Sequence, residues 1–332
     1  MNPLAATPRP PPFALGAQLD LPMLVIDLER RHSRRGEFTT LTLAHQSERI
    51  STSPFWAEDR FRLVGVSRGQ VVRVQGEIGQ FNGRRQLKVA ALVPLAPGEV
   101  DVRRLLPSIP SPDPYWSALD RWRHAIRGPR LAGTVALFFD DPAFRARFES
   151  CPASTSGHHA ELGGLVRHTW EVAAIGRAIA RTTGADADLV LAGALLHDIG
   201  KLEAYRWDGA FEMTDAGNLI GHVALGMLML DRRIGAESIA PCTEGERLLL
   251  QHLIASHHGR QEFGAPMPPM TLEAEILHFA DNASAKATSM AHTLASADNF
   301  EDGSVVSSRT LWELDKRRAY RGRSDWGTTG RS

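Results

Sequence analysis

The sequence predicts a multidomain α+β protein in which an N-terminal OB-type small β-barrel is followed by an all-α helical bundle. From about residue 17 to residue 95, apolar and polar side chains alternate near period two in several short runs, which is typical of strands. Beyond Asp113 the apolar residues are spaced for helix faces, with Gly and Pro in the gaps. Between the two parts, residues 95–111 carry three prolines and two serines and are predicted to be a linker.

The composition is that of a globular protein with room for two domains. The chain has 332 residues, of which 43% are hydrophobic and 23% charged, so disorder over the whole chain is excluded. Its two cysteines, Cys151 and Cys242, are too few for a disulfide scaffold or a cysteine-rich zinc module. No apolar run reaches membrane length and the N-terminus lacks a signal-peptide pattern, so we expect a cytoplasmic protein with no membrane partner.

Charge and histidine are distributed unevenly, although the formal net charge is zero. Residues 1–98 hold 13 Lys and Arg against 8 Asp and Glu, a net charge of +5 that the rest of the chain balances. Ten of the 13 histidines lie between His158 and His292. This asymmetry suggests binding in the first part and metal chemistry in the second.

The first part is predicted to be a Pro-rich disordered tail over residues 1–13 and an OB-type nucleic-acid-binding domain over residues 14–98. The clearest strands lie in residues 71–89, where Asn82–Gly83 is a strong signal for a tight turn between them. Several short strands with a small positive charge fit a barrel that binds single-stranded nucleic acid. A barrel used for protein contacts or for assembly into a homo-oligomer explains the pattern equally well, because an excess of five charges is a weak signal.

Three residues of this barrel are candidates for contacts with a nucleic-acid strand. Phe81, Arg84 and Arg85 lie on or beside the predicted hairpin of residues 71–89. An exposed aromatic ring can stack on a base, and an arginine can neutralise a phosphate. Packing of Phe81 beside the turn is the structural alternative.

The second part is predicted to consist of a linker and helical connector (residues 99–150), a helical domain (151–315) and a basic C-terminal tail (316–332). Trp116, Leu119 and Trp122 are spaced for one helix face in the connector. Five helices are predicted in the domain that follows, over residues 161–182, 187–198, 218–234, 244–258 and 271–288.

Each predicted helix carries a histidine or an aspartate, either within the helix or near one of its ends. A lone buried histidine is more often a hydrogen-bonded core residue than a ligand. Here, however, burying so many imidazoles and carboxylates without a metal would be costly. Nitrogen and oxygen ligands without a thiolate suit Mn²⁺, Fe²⁺, Co²⁺, Ni²⁺ or Mg²⁺. The candidate metal ligands are His168, His197, Asp198, His222, His257, His258 and Asp281.

This ordered set resembles the HD superfamily of metal-dependent phosphohydrolases, whose defining motif stands here as HDIGK at residues 197–201. The resemblance implies an HD-domain helical bundle that binds two divalent ions, with Mn²⁺ preferred over Co²⁺, Fe²⁺, Ni²⁺ or Mg²⁺. Asp198 would bridge them, because a carboxylate has two oxygens. By resemblance, the first ion is held by His168, His197, Asp198 and Asp281, and the second by Asp198, His222, His257 and His258.

The resemblance narrows to YhaM-type 3′→5′ exoribonucleases, which place an OB-type domain before the HD domain. It is carried by HHAELGGLVRHT (158–169), NLIGHVALG (218–226) and GEIGQFNGRRQLKV (76–89), among other segments. It implies that a metal-activated water hydrolyses single-stranded RNA, and also single-stranded DNA, from the 3′ end to nucleoside 5′-monophosphates.

Three further residues are candidate catalytic residues beside Asp198. Lys201 follows it by three residues and is placed to neutralise a phosphate oxygen in the transition state, unless it is a solvated lysine. His158 and His159 resemble paired histidines at the mouth of the site. They contact the substrate phosphate or supply a proton. The alternative is that they help to orient His168 without contacting the substrate.

Two other functions are compatible with the sequence. One is an HD-domain phosphohydrolase or phosphodiesterase of small nucleotides, with the barrel used for assembly. The other is a single-strand-binding protein whose helical domain is structural. The intact ligand set argues against a single-strand-binding protein without catalytic activity. The basic barrel favours an exoribonuclease over a hydrolase of small nucleotides.

Overall fold

The computed structural model describes residues 13–46, 48–296, 299–301, 303–311 and 314–322. Of the predicted Pro-rich tail, only Phe13 belongs to this part, and its side chain is fully buried in the barrel. Residues 1–12, and residues 323–332 of the predicted basic tail, lie outside the described residues.

The N-terminal part is a sheet that curls into a small barrel. Neighbouring strands are antiparallel in the order β3-β2-β1-β5-β6, with β4 also on β2. A parallel bridge between Thr52 and Leu87 joins the end of β3 to β6, which closes the barrel in the strand order of an OB fold. The strands are β1 (Gln18–Ser33), β2 (Gly36–His45), β3 (Glu48–Ser51), β4 (Phe55–Trp56), β5 (Val71–Phe81) and β6 (Arg84–Pro94).

The predicted alternation along β5 fills the barrel. Val72, Val74 and Ile78 are buried, while Arg73, Gln75 and Glu77, which alternate with the buried positions, are exposed. Each such aliphatic side chain contributes about 1.5–3 kcal/mol by leaving water. Asn82 and Gly83 connect β5 to β6 with φ angles of 48° and 75°, which is the backbone of the tight turn that the sequence predicts.

The second part is mainly helical. Among the described residues, no helix is long and apolar enough to cross a membrane. Two short strands, β7 (Tyr205–Arg206) and β8 (Glu212–Met213), form a small hairpin. The helices are α1 (Asp113–Arg123), α2 (Pro129–Phe139), α3 (Pro142–Ser150), α4 (Gly164–Thr183), α5 (Ala187–Leu196), α6 (Lys201–Ala204), α7 (Asp215–Leu219), α8 (His222–Gly235), α9 (Glu244–Ser256) and α10 (Leu272–Ala295).

The helices α1–α3 share one apolar core with the helices that carry the candidate ligands. Phe139 and Phe148 are buried in the same cluster as Leu165, Leu195 and Leu277. The helical part of the predicted connector therefore packs as an integral layer of the bundle. Rings of Trp116, Phe139, Phe144 and Phe148 meet edge-on or tilted at centroid distances of 5.3–6.1 Å, a favourable aromatic geometry.

The barrel and the bundle are joined by a smaller apolar cluster. Leu24 of β1 packs with Leu105, Leu106 and Phe211.

The C-terminal segment folds back onto the end of α10. Leu311, Leu314 and Ala319 are buried against Met290 and Leu294. The described part of the predicted basic tail, residues 316–322, therefore lies against the bundle.

Candidate metal centre

The candidate ligands converge from five elements. His168 lies in the second turn of α4, and α10 packs beside α4 and supplies Asp281. His197 and Asp198 follow α5 directly, and His222 is the first residue of α8. His257 and His258 follow α9. The structure thus brings together every residue that the sequence nominated as a ligand.

The two carboxylate oxygens of Asp198 face two different groups of histidines. Its Oδ2 lies 3.1 Å from Nε2 of His197 and 3.5 Å from Nε2 of His168. Its Oδ1 lies 3.4 Å from Nε2 of His222 and 3.7 Å from Nε2 of His257. One buried carboxylate is therefore placed between two sets of nitrogen ligands.

Asp281 completes the first set. Its Oδ1 lies 3.0 Å from Nε2 of His168 and 3.9 Å from Nε2 of His197. The second set consists of His222, His257 and His258, which offer ligand atoms within 4.8 Å of one another.

Backbone carbonyls orient three of the histidines. Nδ1 of His197 donates to the carbonyl of Ala194 at 2.8 Å, and Nδ1 of His257 donates to that of Ile254 at 2.7 Å. His258 bonds in the same way to the carbonyl of Phe263, at 2.7 Å. Because Nδ1 carries the proton in each ring, the lone pair of Nε2 is available to a metal.

His168 is oriented by a chain of side chains that sequence reasoning missed. Its Nδ1 donates to Ser284 Oγ at 3.0 Å, and that hydroxyl donates to Glu171 Oε2 at 2.7 Å. Glu171 lies three residues after His168, and Ser284 three after Asp281, so helical spacing was the available signal.

His159 lies behind this chain and is fully buried. Its Nε2 donates to Glu171 Oε2 at 3.0 Å. Burial opposes ionisation of Glu171, but the hydrogen bond and charge of His159 outweigh it and hold the pKa of Glu171 at about 2. Burial likewise lowers the pKa of His159, but Glu161 and Glu171 outweigh it and raise that pKa above its ordinary value.

His158 and Lys201 lie closer to the ligands. The His158 ring is 5.5 Å from that of His168, and burial lowers its pKa to about 3, so the ring is neutral. Lys201 is buried, and its Nζ lies 2.5 Å from Asp198 Oδ2. Burial opposes its charge, but the attraction of Asp198 outweighs burial and raises the pKa of Lys201.

Three buried polar atoms at the centre have no hydrogen-bond partner among the described residues: Asp198 Oδ1, His222 Nε2 and His257 Nε2. Leaving such atoms unpaired costs about 1–3 kcal/mol each. Burial lowers the pKa of His257 and brings that of His222 to about 3, so both rings are in the neutral form that binds metals. Oxygen and imidazole donors around one space suit a divalent cation, so the residues present fit a metal.

Gly200 allows the turn formed by residues 197–201, called the HD turn below, to approach α8 closely. A Cβ atom at this position would lie 1.9 Å from the carbonyl oxygen of His222 and 2.4 Å from the amide nitrogen of Gly226. Only glycine fits at this distance, and the contact sets the position of His222 relative to Asp198.

The three barrel residues nominated for nucleic-acid contacts belong to a separate part of the surface. Phe81 is 62% exposed at the end of β5, and Arg84 is exposed at the start of β6. Arg85 donates to the carbonyl of Phe13 at 3.0 Å and lies 3.7 Å from Glu48. Its side chain therefore takes part in holding the barrel together.

Comparison with known proteins agrees with this site. The HD domain family matches residues 165–286, the stretch from α4 to α10 that contains every candidate ligand. The site and this match define the chain as an HD-domain protein of the metal-dependent phosphohydrolase superfamily.

Full-length relatives narrow the assignment. The 3′-5′ exoribonuclease YhaM of Bacillus subtilis is 32% identical over 284 residues, which is 84% of this chain and 88% of the relative. YhaM of Bacillus licheniformis is 30% identical over 311 residues, covering 92% and 96% of the two chains. The chain belongs to the YhaM family. No solved structure matches it.

Proposed function

We propose that this chain is a metal-dependent 3′→5′ exoribonuclease that hydrolyses single-stranded RNA to nucleoside 5′-monophosphates. The observation that carries the proposal is the position of Asp198, whose two oxygens face two separate sets of buried nitrogen ligands. Its full-length relatives are named 3′-5′ exoribonucleases, which supports the direction of degradation and the substrate.

Two divalent ions are proposed at the centre, with Mn²⁺ preferred over Co²⁺, Fe²⁺, Ni²⁺ or Mg²⁺. When bound, such ions supply a nucleophilic water at neutral pH and neutralise charge on the phosphate. The proposed ligands of the first ion are His168, His197, Asp198 and Asp281, and those of the second are Asp198, His222, His257 and His258.

The remaining residues have distinct proposed roles. Lys201 holds a positive charge beside Asp198, where it stabilises the charge that develops on the phosphate. His158 is neutral and close to His168, so it can relay a proton to the leaving 3′-oxygen, donating from one ring nitrogen as the other accepts a proton from water. His159 acts as a positioning residue, because its hydrogen bond to Glu171 is relayed to His168 through Ser284.

The barrel is proposed to hold the strand that enters the centre, with Phe81 stacking on a base and Arg84 and Arg85 contributing positive charge. Single-stranded DNA is a proposed second substrate. Its RNA substrate leads us to propose that the enzyme acts in the cytoplasm.

The test is degradation of a 5′-labelled single-stranded RNA with Mn²⁺ under single-turnover conditions. Wild type is expected to give a ladder that shortens from the 3′ end. Asp198→Ala is expected to abolish it, because both sets of ligands lose their shared carboxylate. Asp208→Ala is the matched control, since the Asp208 side chain is 81% exposed in a surface loop. An intact RNA with wild type in every metal, together with hydrolysis of free nucleotides, would refute the exoribonuclease.

A further inference from the structure

A cavity of about 580 Å³ opens beside the metal centre. It reaches from His258 and Asp281 to Lys286 on the same helix and to Asp315 and Lys316 of the C-terminal segment. This volume is in the range of sites that hold small molecules or single residues of a polymer.

One face of α10 forms the floor of this cavity. His278, Asp281, Asn282, Ala285 and Lys286 follow the i, i+3, i+4, i+7, i+8 spacing of a single helical stripe, and all five line it. Asp281 and Lys286 are five residues apart, which is a rise of roughly 7.5 Å along the helix. That rise is comparable to the separation of consecutive phosphates in an extended single strand.

Lys286 forms an ion pair with Asp315, and another anion can take the place of the Asp315 carboxylate. Its Nζ lies 2.5 Å from Asp315 Oδ1, and the two side chains are 37% and 55% exposed. An ion pair that is open to solvent contributes about 0–1 kcal/mol, so another anion can displace the Asp315 carboxylate at little cost. Lys286 and Lys316 are the lysines of the lining, and Glu262, Asp281 and Asp315 are its carboxylates.

The backbone that presents Asp315 is unusual. Asp315 and Lys316 have φ angles of 53° and 59°, the left-handed region that residues other than glycine rarely adopt. The amide of Lys316 donates to the carbonyl of Leu311 at 2.9 Å, and the buried side chain of Leu314 anchors the turn. Such conformations persist where the surrounding structure enforces them, often at ligand sites.

We propose that Lys286 binds the phosphate immediately 5′ to the scissile phosphate, and that Asp315 occupies this position until substrate arrives. The inference rests on the proposed function, which places the scissile phosphate at the metal centre. The 3′-terminal nucleoside carries no phosphate beyond the scissile one, so a lysine in this cavity fits the 5′ side of the strand. The contact would favour strands with at least two phosphates over substrates with one.

The test compares two dinucleotides, one with a 5′-phosphate (pNpN) and one without it (NpN), in the presence of Mn²⁺. Wild type is expected to prefer pNpN by about tenfold in kcat/KM, the effect of one charge-assisted contact. Lys286→Met is expected to abolish this preference. Arg181→Met removes a positive charge from an exposed position at the end of α4 and is expected to retain it.

Asp315→Asn provides the opposite change. Without its competing carboxylate, Lys286 is expected to bind the 5′-phosphate more tightly, so the preference for pNpN should increase. An equal rate on both dinucleotides in wild type, a preference that survives Lys286→Met, or a decrease in Asp315→Asn would overturn the inference. Failure of wild type to hydrolyse either dinucleotide or a longer RNA would instead count against the proposed function.

Discussion

At the scale of single residues, the centre is built in two layers. The inner layer consists of the candidate ligands around Asp198, and the outer layer consists of the groups that fix the direction of their imidazole rings. Backbone carbonyls orient His197, His257 and His258, so no substitution of a side chain removes these contacts. His168 differs, because its Nδ1 depends on the hydroxyl of Ser284. This makes Ser284 the most sensitive test of the outer layer.

Ser284→Ala is expected to weaken binding of Mn²⁺ by about 10–100-fold, because His168 loses the partner that holds its Nε2 towards Asp281. Isothermal titration of the metal-free protein would measure the change. Ser289→Ala is the control, since this serine lies on the same helix but outside the cluster. Equal affinities in the two variants would show that the hydroxyl does not orient His168.

At the scale of secondary-structure elements, the second ligand set depends on where α8 begins. His222 opens this helix, and its carbonyl packs against Gly200 of the HD turn. The distance from His222 to Asp198 is therefore set by the contact between two backbones. A change at Gly200 should act on the centre although this residue is not a ligand.

Gly200→Ala is expected to push α8 away, lower activity at least tenfold and destabilise the protein by about 1–3 kcal/mol, the usual cost of overpacking. RNA degradation and urea unfolding would measure both effects. Gly235→Ala is the control at the other end of α8, where a Cβ atom meets nothing within 4 Å. Wild-type activity in Gly200→Ala would contradict the role assigned to this contact.

The sequence predicts which residues converge at the centre, because their signal is local in type and order. A histidine or aspartate on a predicted helix, or at its end, can be recognised without knowing how the helices pack. The outer layer has no such signal. Serine and glutamate are common on helices, so the roles of Ser284 and Glu171 can be recognised only from their contacts in the structure. The cavity wall at Asp315 is harder still, because it lies 34 positions beyond Asp281.

The sequence predicts a helical connector but not its packing as part of the bundle. Both α2 and α3 begin with a proline, Pro129 and Pro142 respectively. The first helical position suits proline, because its missing N–H would have no partner there. The two helices then join the core through Phe139 and Phe148.

At the scale of the whole molecule, the barrel and the bundle meet through apolar side chains. Leu24 lies on a barrel strand, yet it packs with Leu105, Leu106 and Phe211 and is fully buried. Arg68 of the barrel also pairs with Glu212 of the β7–β8 hairpin at 3.0 Å. On the proposed function, this contact would set where a strand held by the barrel enters the bundle.

Leu24→Asp is expected to uncouple the two parts, because it places a carboxylate without a partner in an apolar contact. Limited proteolysis should then cut within residues 95–111, and RNA degradation should slow while hydrolysis of a dinucleotide persists. Val93→Asp is the control, since Val93 lies on β6 and is 57% exposed. Equal protease resistance in the two variants would refute the coupling.

The position of Asp198 between two ligand sets has a thermodynamic consequence for how the proposed ions would load. A cation held by Oδ2 would fix the carboxylate plane, and with it the direction of Oδ1 towards His222 and His257. The two affinities would therefore be linked, and by reciprocity each ion would change the affinity of the other by the same factor. Loading of one site should then depend on whether the other is filled.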